Sequence, residues 1–296
     1  MRKIQNNGVK QLPLDQRPSS GSSAIAIDQD PLILAISLRV ANPNTRTESF
    51  IEALEKGLGA PDGRPRIVLL PGYEEKYDWP CANTRVLELV REHGAAIIFE
   101  QRSSIGILWQ AYEILGGPLV EIRQKFIDSK EANLEQGLVR ELIRECQPGG
   151  KRTIRLSGLD IGLLSCGENN VLINHQIDKN RVSVRHNLQE TLLDHVQVIH
   201  NGAHSNMGNW DKLNKRFEFL SSKARMAIFS TNNSFGSWKA AVRVYIDGTL
   251  MADGEGVRNR NSTYSIRVLR DQDQERDGFC AISVIGKGII QPPTHK

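Results

Sequence analysis

The chain has 296 residues, 39% hydrophobic and 24% charged, an ordinary balance for one large globular domain or two small ones. Its net charge of +4 is spread over 38 basic and 34 acidic residues with no Lys/Arg run, so a nucleic-acid partner has no electrostatic footprint. Cys81, Cys146, Cys166 and Cys280 lie far apart without a CxxC pair, which argues against a zinc ribbon or a disulfide scaffold and fits reduced thiols in a cytoplasmic protein.

Residues 1–30 are polar, rich in Gln, Asn, Ser, Gly and Pro, and contain no signal-peptide core. They read as a flexible extension ahead of a domain over 31–290. No stretch has the apolar length that spans a bilayer, so a soluble protein with no membrane partner is expected. The run Leu32-Ile33-Leu34-Ala35-Ile36-Ser37-Leu38 predicts a strand buried on both faces. A helical period follows through Phe50, Ile51, Leu54 and Leu58, with Thr45 or Thr47 as its cap. Residues 67–70 form a second strand ending at Pro71-Gly72. A second helix carries Val86, Leu87, Leu89 and Val90 and stops at Gly94, before a third strand over 95–99.

Residues 105–120 read as strand pairs broken at Gly116-Gly117-Pro118. The span 131–145 is helical, with Leu134, Leu138, Leu142 and Ile143 on one side. Strands at 154–156 and 161–164 meet at a hairpin-like break, Gly158-Leu159-Asp160. A strand at 196–199, a helix over 210–224 with Leu213, Phe217 and Leu220, and a strand at 226–229 continue the alternation. Residues 242–246 form a strand leading into an Asp247-Gly248 hairpin turn, and later strands fall at 264–269 and 279–285. This alternation of strand and helix predicts an α/β fold, with neither a short repeat nor an internal linker to divide it.

Cys166 follows the apolar segment Ile161-Gly162-Leu163-Leu164 and precedes Gly167. A thiol at the abrupt end of a strand can be presented at the sheet's edge, where N–H groups of the next turn lower its pKa or receive an oxyanion. By itself such a cysteine also reads as a small core residue.

Five segments set that cysteine in a larger pattern. They are Leu-Leu-Ser-Cys-Gly-Glu-Asn around Cys166, Arg-Gln-Lys-Phe around Lys125, the acidic segment after the second strand, Val-Gln-Val-Ile-His-Asn-Gly-Ala-His, and Met-Ala-Ile-Phe-Ser-Thr-Asn-Asn. In these the sequence resembles the nitrilase superfamily, the carbon–nitrogen hydrolases that include aliphatic amidases, nitrilases and carbamoylases, across residues 32–285. The resemblance implies a four-layer α-β-β-α sandwich, a homodimer paired through a helical face, no cofactor, and a small-molecule amide, carbamoyl or nitrile substrate. It also implies a catalytic Glu, Lys and Cys in that order, here Glu74, Lys125 and Cys166. The three residue types divide the chemistry between them. A thiolate attacks a poorly electrophilic carbon, a carboxylate takes its proton and later activates water, and a cation steadies the developing charge.

Two departures from the pattern stand out. Relatives place the first glutamate directly after the proline that ends the second strand, whereas here Pro71 is followed by Gly72 and Tyr73 before Glu74 and Glu75. Gly167 stands where relatives carry an aromatic residue, which predicts a wider pocket beside the nucleophile; Glu168 is retained. Glu131 and Glu135 are candidates for a supporting acid after the lysine, and His204 for the mouth of the site. The offset glutamate and Gly167 leave an alternative, a catalytically inactive nitrilase-like binding or assembly protein.

Five of the seven histidines fall between His175 and His204, but HExxH is absent and Gly202 interrupts the His200/His204 spacing, so no metal site is expected. No GxSxG elbow and no GxGxxG or GxxxxGK[ST] loop occurs. The polar segment 170–187, with Asp178, Lys179, Arg181 and Arg185, reads either as a specificity loop or as a solvated insertion.

Overall fold

The structure, a computed structural model, describes residues 30–39, 43–72, 83–103, 106–112, 122–175, 178, 181–185, 192–203, 210–231, 241–271 and 278–286. The expected extension over 1–30 lies almost wholly outside them, as do Glu74, Glu75 and His204.

The first third of the fold contains β1 (Leu32–Arg39), α1 (Pro43–Leu58), β2 (Arg66–Leu69), α2 (Thr84–Glu92), β3 (Ala95–Ser103) and β4 (Gly106–Tyr112). Next come α3 (Ser129–Leu134), α4 (Gln136–Glu145), β5 (Thr153–Leu156), β6 (Leu159–Leu164), a 3-10 turn over Glu168–Val171, β7 (Leu172–Asn174) and β8 (Val182–Val184). The remainder is β9 (Val198–Ala203), α5 (Trp210–Ser221), β10 (Met226–Thr231), β11 (Val242–Ile246), β12 (Thr249–Asp253), β13 (Gly256–Val257), β14 (Tyr264–Arg270) and β15 (Gly278–Gly286). One sheet has the order β14-β15-β1-β2-β3-β4, a second β13-β12-β11-β10-β9-β6-β5, and β7-β8 form a small hairpin apart. Strands β1, β2 and β3 run parallel, as do β6, β9 and β10.

Strand periodicity explains the layering. Leu32, Leu34, Ile36 and Leu38 of β1 pack with Phe50, Ala53, Leu54 and Leu58 of α1 and Val86, Leu89 and Val90 of α2. The alternate residues Ile33 and Ala35 face the other way, against Ile161, Leu163, Val198, Ile228 and Val244 of the second sheet. The opposite face of that second sheet, through Leu164, Ile199, Ala227 and Phe229, meets Val139, Leu142 and Ile143 of α4 and Leu213, Phe217 and Leu220 of α5. Helix, sheet, sheet and helix therefore stack in the expected four layers.

Local chemistry fixes several element ends. Asn83 caps α2 by accepting from Val86 N at 3.1 Å, and Gly94 leaves the helix at φ 58°. The buried Arg66 guanidinium donates to the carbonyls of Leu58 at 3.3 Å, Ala60 at 2.7 Å and His93 at 3.2 Å, tying together the ends of both helices.

Four readings of the sequence need correction. Helix α1 starts at Pro43, so Thr45 and Thr47 fall inside its first turns instead of capping it. The expected helix over 131–145 is two helices broken at Glu135 (φ −98°, ψ 64°), and Leu134, placed on the apolar side, is 71% exposed, while Val139 takes up core contact. The β5–β6 turn is Ser157-Gly158, at φ 50° and 81°, so Leu159 and Asp160 already belong to β6. Segment 170–187 carries β7 and β8, whose strands are too short for alternation to register.

Ile228 sits fully buried at the sheet–sheet interface. Ile228→Ala is expected to lower the urea-unfolding free energy by about 2–5 kcal/mol, the cost of an unfilled core cavity. A change under about 0.5 kcal/mol, the range of surface substitutions, would mean the two sheets do not pack there.

Candidate active site

The sheet–sheet core turns polar at one end. Ser37, two residues beyond Ala35 on β1, donates from its hydroxyl to the carbonyl of Thr231 on β10. His200 shares a 3.0 Å hydrogen bond with Ser230 across the second sheet, and burial pushes its pKa down to about 3, so the ring is neutral. Glu100, which continues the inward face of Ala96 and Ile98 on β3, is fully buried at the same level. This is the carboxyl end of the parallel strands, where α/β sheets place their ligands. Cys166 lies at that end, two residues past β6, and packs on the other face of the sheet with Phe126, Leu164 and Val171 of the sheet–helix core.

The turn that carries Cys166 is tight. Gly167 has φ 81°, and a Cβ there would lie 2.0 Å from the carbonyl oxygen of Ile127. The expected widening of the pocket at this glycine is therefore corrected: the chain at Ile127 fills the space. Ile127 is itself held by Glu131, whose Oε2 accepts from Ile127 N at 2.8 Å, while Asp128 caps α3 through Glu131 N at 2.8 Å. Asn201 donates through Nδ2 to the carbonyls of Leu164 at 2.9 Å and Ser165 at 3.0 Å, fixing the strand end. Among the described residues, the N–H groups of Cys166 and Gly167 have no backbone acceptor. The Cys166 carbonyl accepts from Gln124 Nε2.

Glu168 is the centre of the arrangement. Its Oε2 accepts from Ser165 N at 2.8 Å, and its Oε1 from Lys125 N at 2.7 Å. Arg152 closes on the same carboxylate with both Nη atoms, at 2.6 and 2.8 Å, and both side chains are completely buried. The pair thus ties the cysteine turn to the Lys125 segment and to the start of β5. Arg152 also donates to the Arg123 carbonyl at 2.8 Å and, through Nε, to Glu145 Oε2 at 2.9 Å. Nothing in the sequence pattern singles out Arg152, although Ser165-Cys166-Gly167-Glu168 has the Ser-x-x-Glu spacing of a capping box, which foretells the side-chain bond to Ser165 N.

Lys125 is brought to this cluster by its main chain. Its ammonium lies 2.7 Å from Glu141 and 2.7 Å from Glu145 on α4. The acids that meet the lysine are these two and not Glu131, which braces Ile127, or Glu135, which is exposed at the α3–α4 junction. Burial alone would lower the Lys125 pKa, but the hydrogen bonds to Glu141 and Glu145 carry it above the usual value, so the group is a fixed cation with one N–H left to donate. A recess of about 360 Å³ beside it is lined by Gln124, Lys125, Phe126, Glu131, Leu138 and Glu141, among others, and Cys166 is not in its wall.

No family model and no curated protein matches the sequence. The fold is similar to that of a CN-hydrolase superfamily protein from Xanthomonas campestris, at 13% identity and TM-score 0.49 over 88% of this chain and 92% of that one. It is also similar to an amidase of the nitrilase superfamily from Nesterenkonia, at 12% identity and TM-score 0.48 over 88% and 93% of the two chains.

Two outcomes are expected. Glu168→Gln leaves a buried guanidinium without its main counter-charge and should cost about 3–5 kcal/mol in urea unfolding; a loss below about 1 kcal/mol would show that the pair does not hold the turn. The second concerns pH. The Lys125 ammonium holds the Glu141 carboxyl below its ordinary 4.5, so this pairing stabilises the fold above pH 4.5 and is lost as pH falls through the lowered value. The raised Lys125 value acts in the opposite sense: its contribution is complete below 10.5 and lost as pH rises beyond it. The stability gap between the parent and Lys125→Met should be flat between those limits and narrow outside both, and a gap independent of pH would contradict the pairing.

Proposed function

We propose that the protein is a thiol-dependent hydrolase of non-peptide carbon–nitrogen bonds of the nitrilase type, acting on a small amide, carbamoyl compound or nitrile. The observation that supports it most is the Cys166 turn, a thiol at the carboxyl end of β6 with two N–H groups that have no backbone acceptor among the described residues, anchored by a buried ion pair. Glu74, in the segment after β2, is the proposed general base, as the resemblance to that superfamily implies.

For an amide, the Cys166 thiol gives its proton to Glu74 and the sulfur attacks the carbonyl carbon. The resulting oxyanion takes hydrogen bonds from the Cys166 and Gly167 N–H groups, in the field of the Lys125 cation. The carbon–nitrogen bond breaks as Glu74 returns the proton to the leaving nitrogen, and a thioester remains on Cys166. Water, deprotonated by Glu74, then attacks the thioester; the acid leaves and the thiol is restored. No cofactor enters these steps.

One observation favours a second reading. Both carboxylates on the Lys125 ammonium offset its charge, which suits a nitrilase-like binding or assembly module without turnover. Ammonia release from a panel of amides, ureas and nitriles separates the two. Hydrolysis of at least one class, reduced by about 10³-fold or more in a folded Cys166→Ser variant, supports the hydrolase. Full activity in Cys166→Ser, or no release from any compound by the folded parent, would overturn it.

A further inference from the structure

Behind the Cys166 turn, two arginines converge with no carboxylate partner among the described residues. Arg216, on α5 and only 8% exposed, donates through Nε to Asn174 Oδ1 at 2.9 Å and through Nη1 to Asn170 Oδ1 at 2.8 Å and Asn169 Oδ1 at 3.2 Å. Arg185, the residue after β8, donates through Nε to the Asn170 carbonyl at 2.5 Å and through Nη1 to Asn133 Oδ1 on α3. Every one of these acceptors is neutral. Arg66, Arg152 and Arg258 each pair with a carboxylate, whereas buried Arg225 is held singly by the carbonyls of Ser222, Leu192 and Leu193, so what sets Arg185 and Arg216 apart is that two cations meet on one asparagine.

Both guanidinium groups grip Asn170, so they are close neighbours. Burial, and then the charge of Arg185, lowers the Arg216 pKa to about 10, the physical sign of a cation held without compensation. Each keeps an Nη2 with no hydrogen-bond partner among the described residues. A guanidinium is costly to bury unpaired, and two side by side cost more. An oxyanion bridging them removes both penalties, because its oxygens match the fork of N–H donors.

We propose that Arg185 and Arg216 form a binding site for a small oxyanion, a phosphate or carboxylate group, seated against Asn170 behind the cysteine turn. The site is independent of any hydrolysis at Cys166, yet it is joined to that turn, because Asn170 Nδ2 donates to the Gly167 carbonyl at 2.8 Å.

Thermal unfolding of the full chain at constant ionic strength tests the site. Inorganic phosphate and succinate, each balanced against sodium chloride, form the two arms. A saturable rise in Tm with either is expected, and the arm that saturates at lower concentration identifies the group. Arg185→Gln, at a half-buried position, should need about tenfold more anion for the same shift. Arg216→Lys keeps the charge but loses the fork, and should weaken the response similarly if it folds. An equal rise with sodium chloride alone, no rise with either anion, or an unchanged response in Arg185→Gln would overturn the proposal.

Discussion

The salt bridge between Arg152 and Glu168 governs the geometry of everything around Cys166. Both partners are fully buried, and neither could be where it is without the other, since an isolated charge in that environment costs several kcal/mol. A buried pair is weak evidence for stability, but it enforces a unique arrangement when its remaining hydrogen-bonding capacity is filled. Here it is filled: Glu168 takes two backbone N–H groups besides Arg152, and Arg152 reaches a carbonyl and a second carboxylate. The chain Glu141–Lys125–Glu145–Arg152–Glu168 alternates in sign from the edge of α4 to the turn itself. Lys125 and Cys166 are thereby tied into one unit, although they lie 41 positions apart in sequence.

Backbone constraints complete what the charges begin. Gly167 lets the turn reverse with a positive φ while the chain at Ile127 presses against it, so any side chain at 167 meets a carbonyl oxygen. Glu131 holds Ile127 in that position. The parallel strands of the two sheets end at the same level, which brings Ser37, Glu100, His200 and Ser230 to the border where apolar packing gives way to polar side chains.

The alternation of strands and helices was legible from periodicity, and their stacking in four layers from the resemblance. The continuous run of β1 announced a strand covered on both faces, and Asp247-Gly248 announced its hairpin. The motif drew attention to Cys166 and Glu168, and the 3-10 turn that leads on to β7 follows from Gly167. Less visible was the break at Glu135, which periodicity runs straight through because Leu134 and Leu138 keep helical spacing while only one of them reaches the core. Arg152, Glu141 and Glu145 were not legible at all, since long-range ion pairs leave no spacing signature. Arg185 and Arg216, which meet only when β8 and α5 pack together, fall in the same class.

Reactivity separates a nucleophile from a core cysteine. Cys146, Cys166 and Cys280 are all buried free thiols; burial raises Cys146 and, to about 12, Cys280, which leaves those two almost wholly protonated near neutrality. Cys166 stands at a strand end, in a turn built by charges. Substoichiometric iodoacetamide labelling of the native protein near neutral pH, resolved by peptide mass spectrometry, compares the three directly. The account predicts that Cys166 is alkylated at least about tenfold faster than Cys146 and Cys280. A Cys166 that reacts no faster than those two would contradict it.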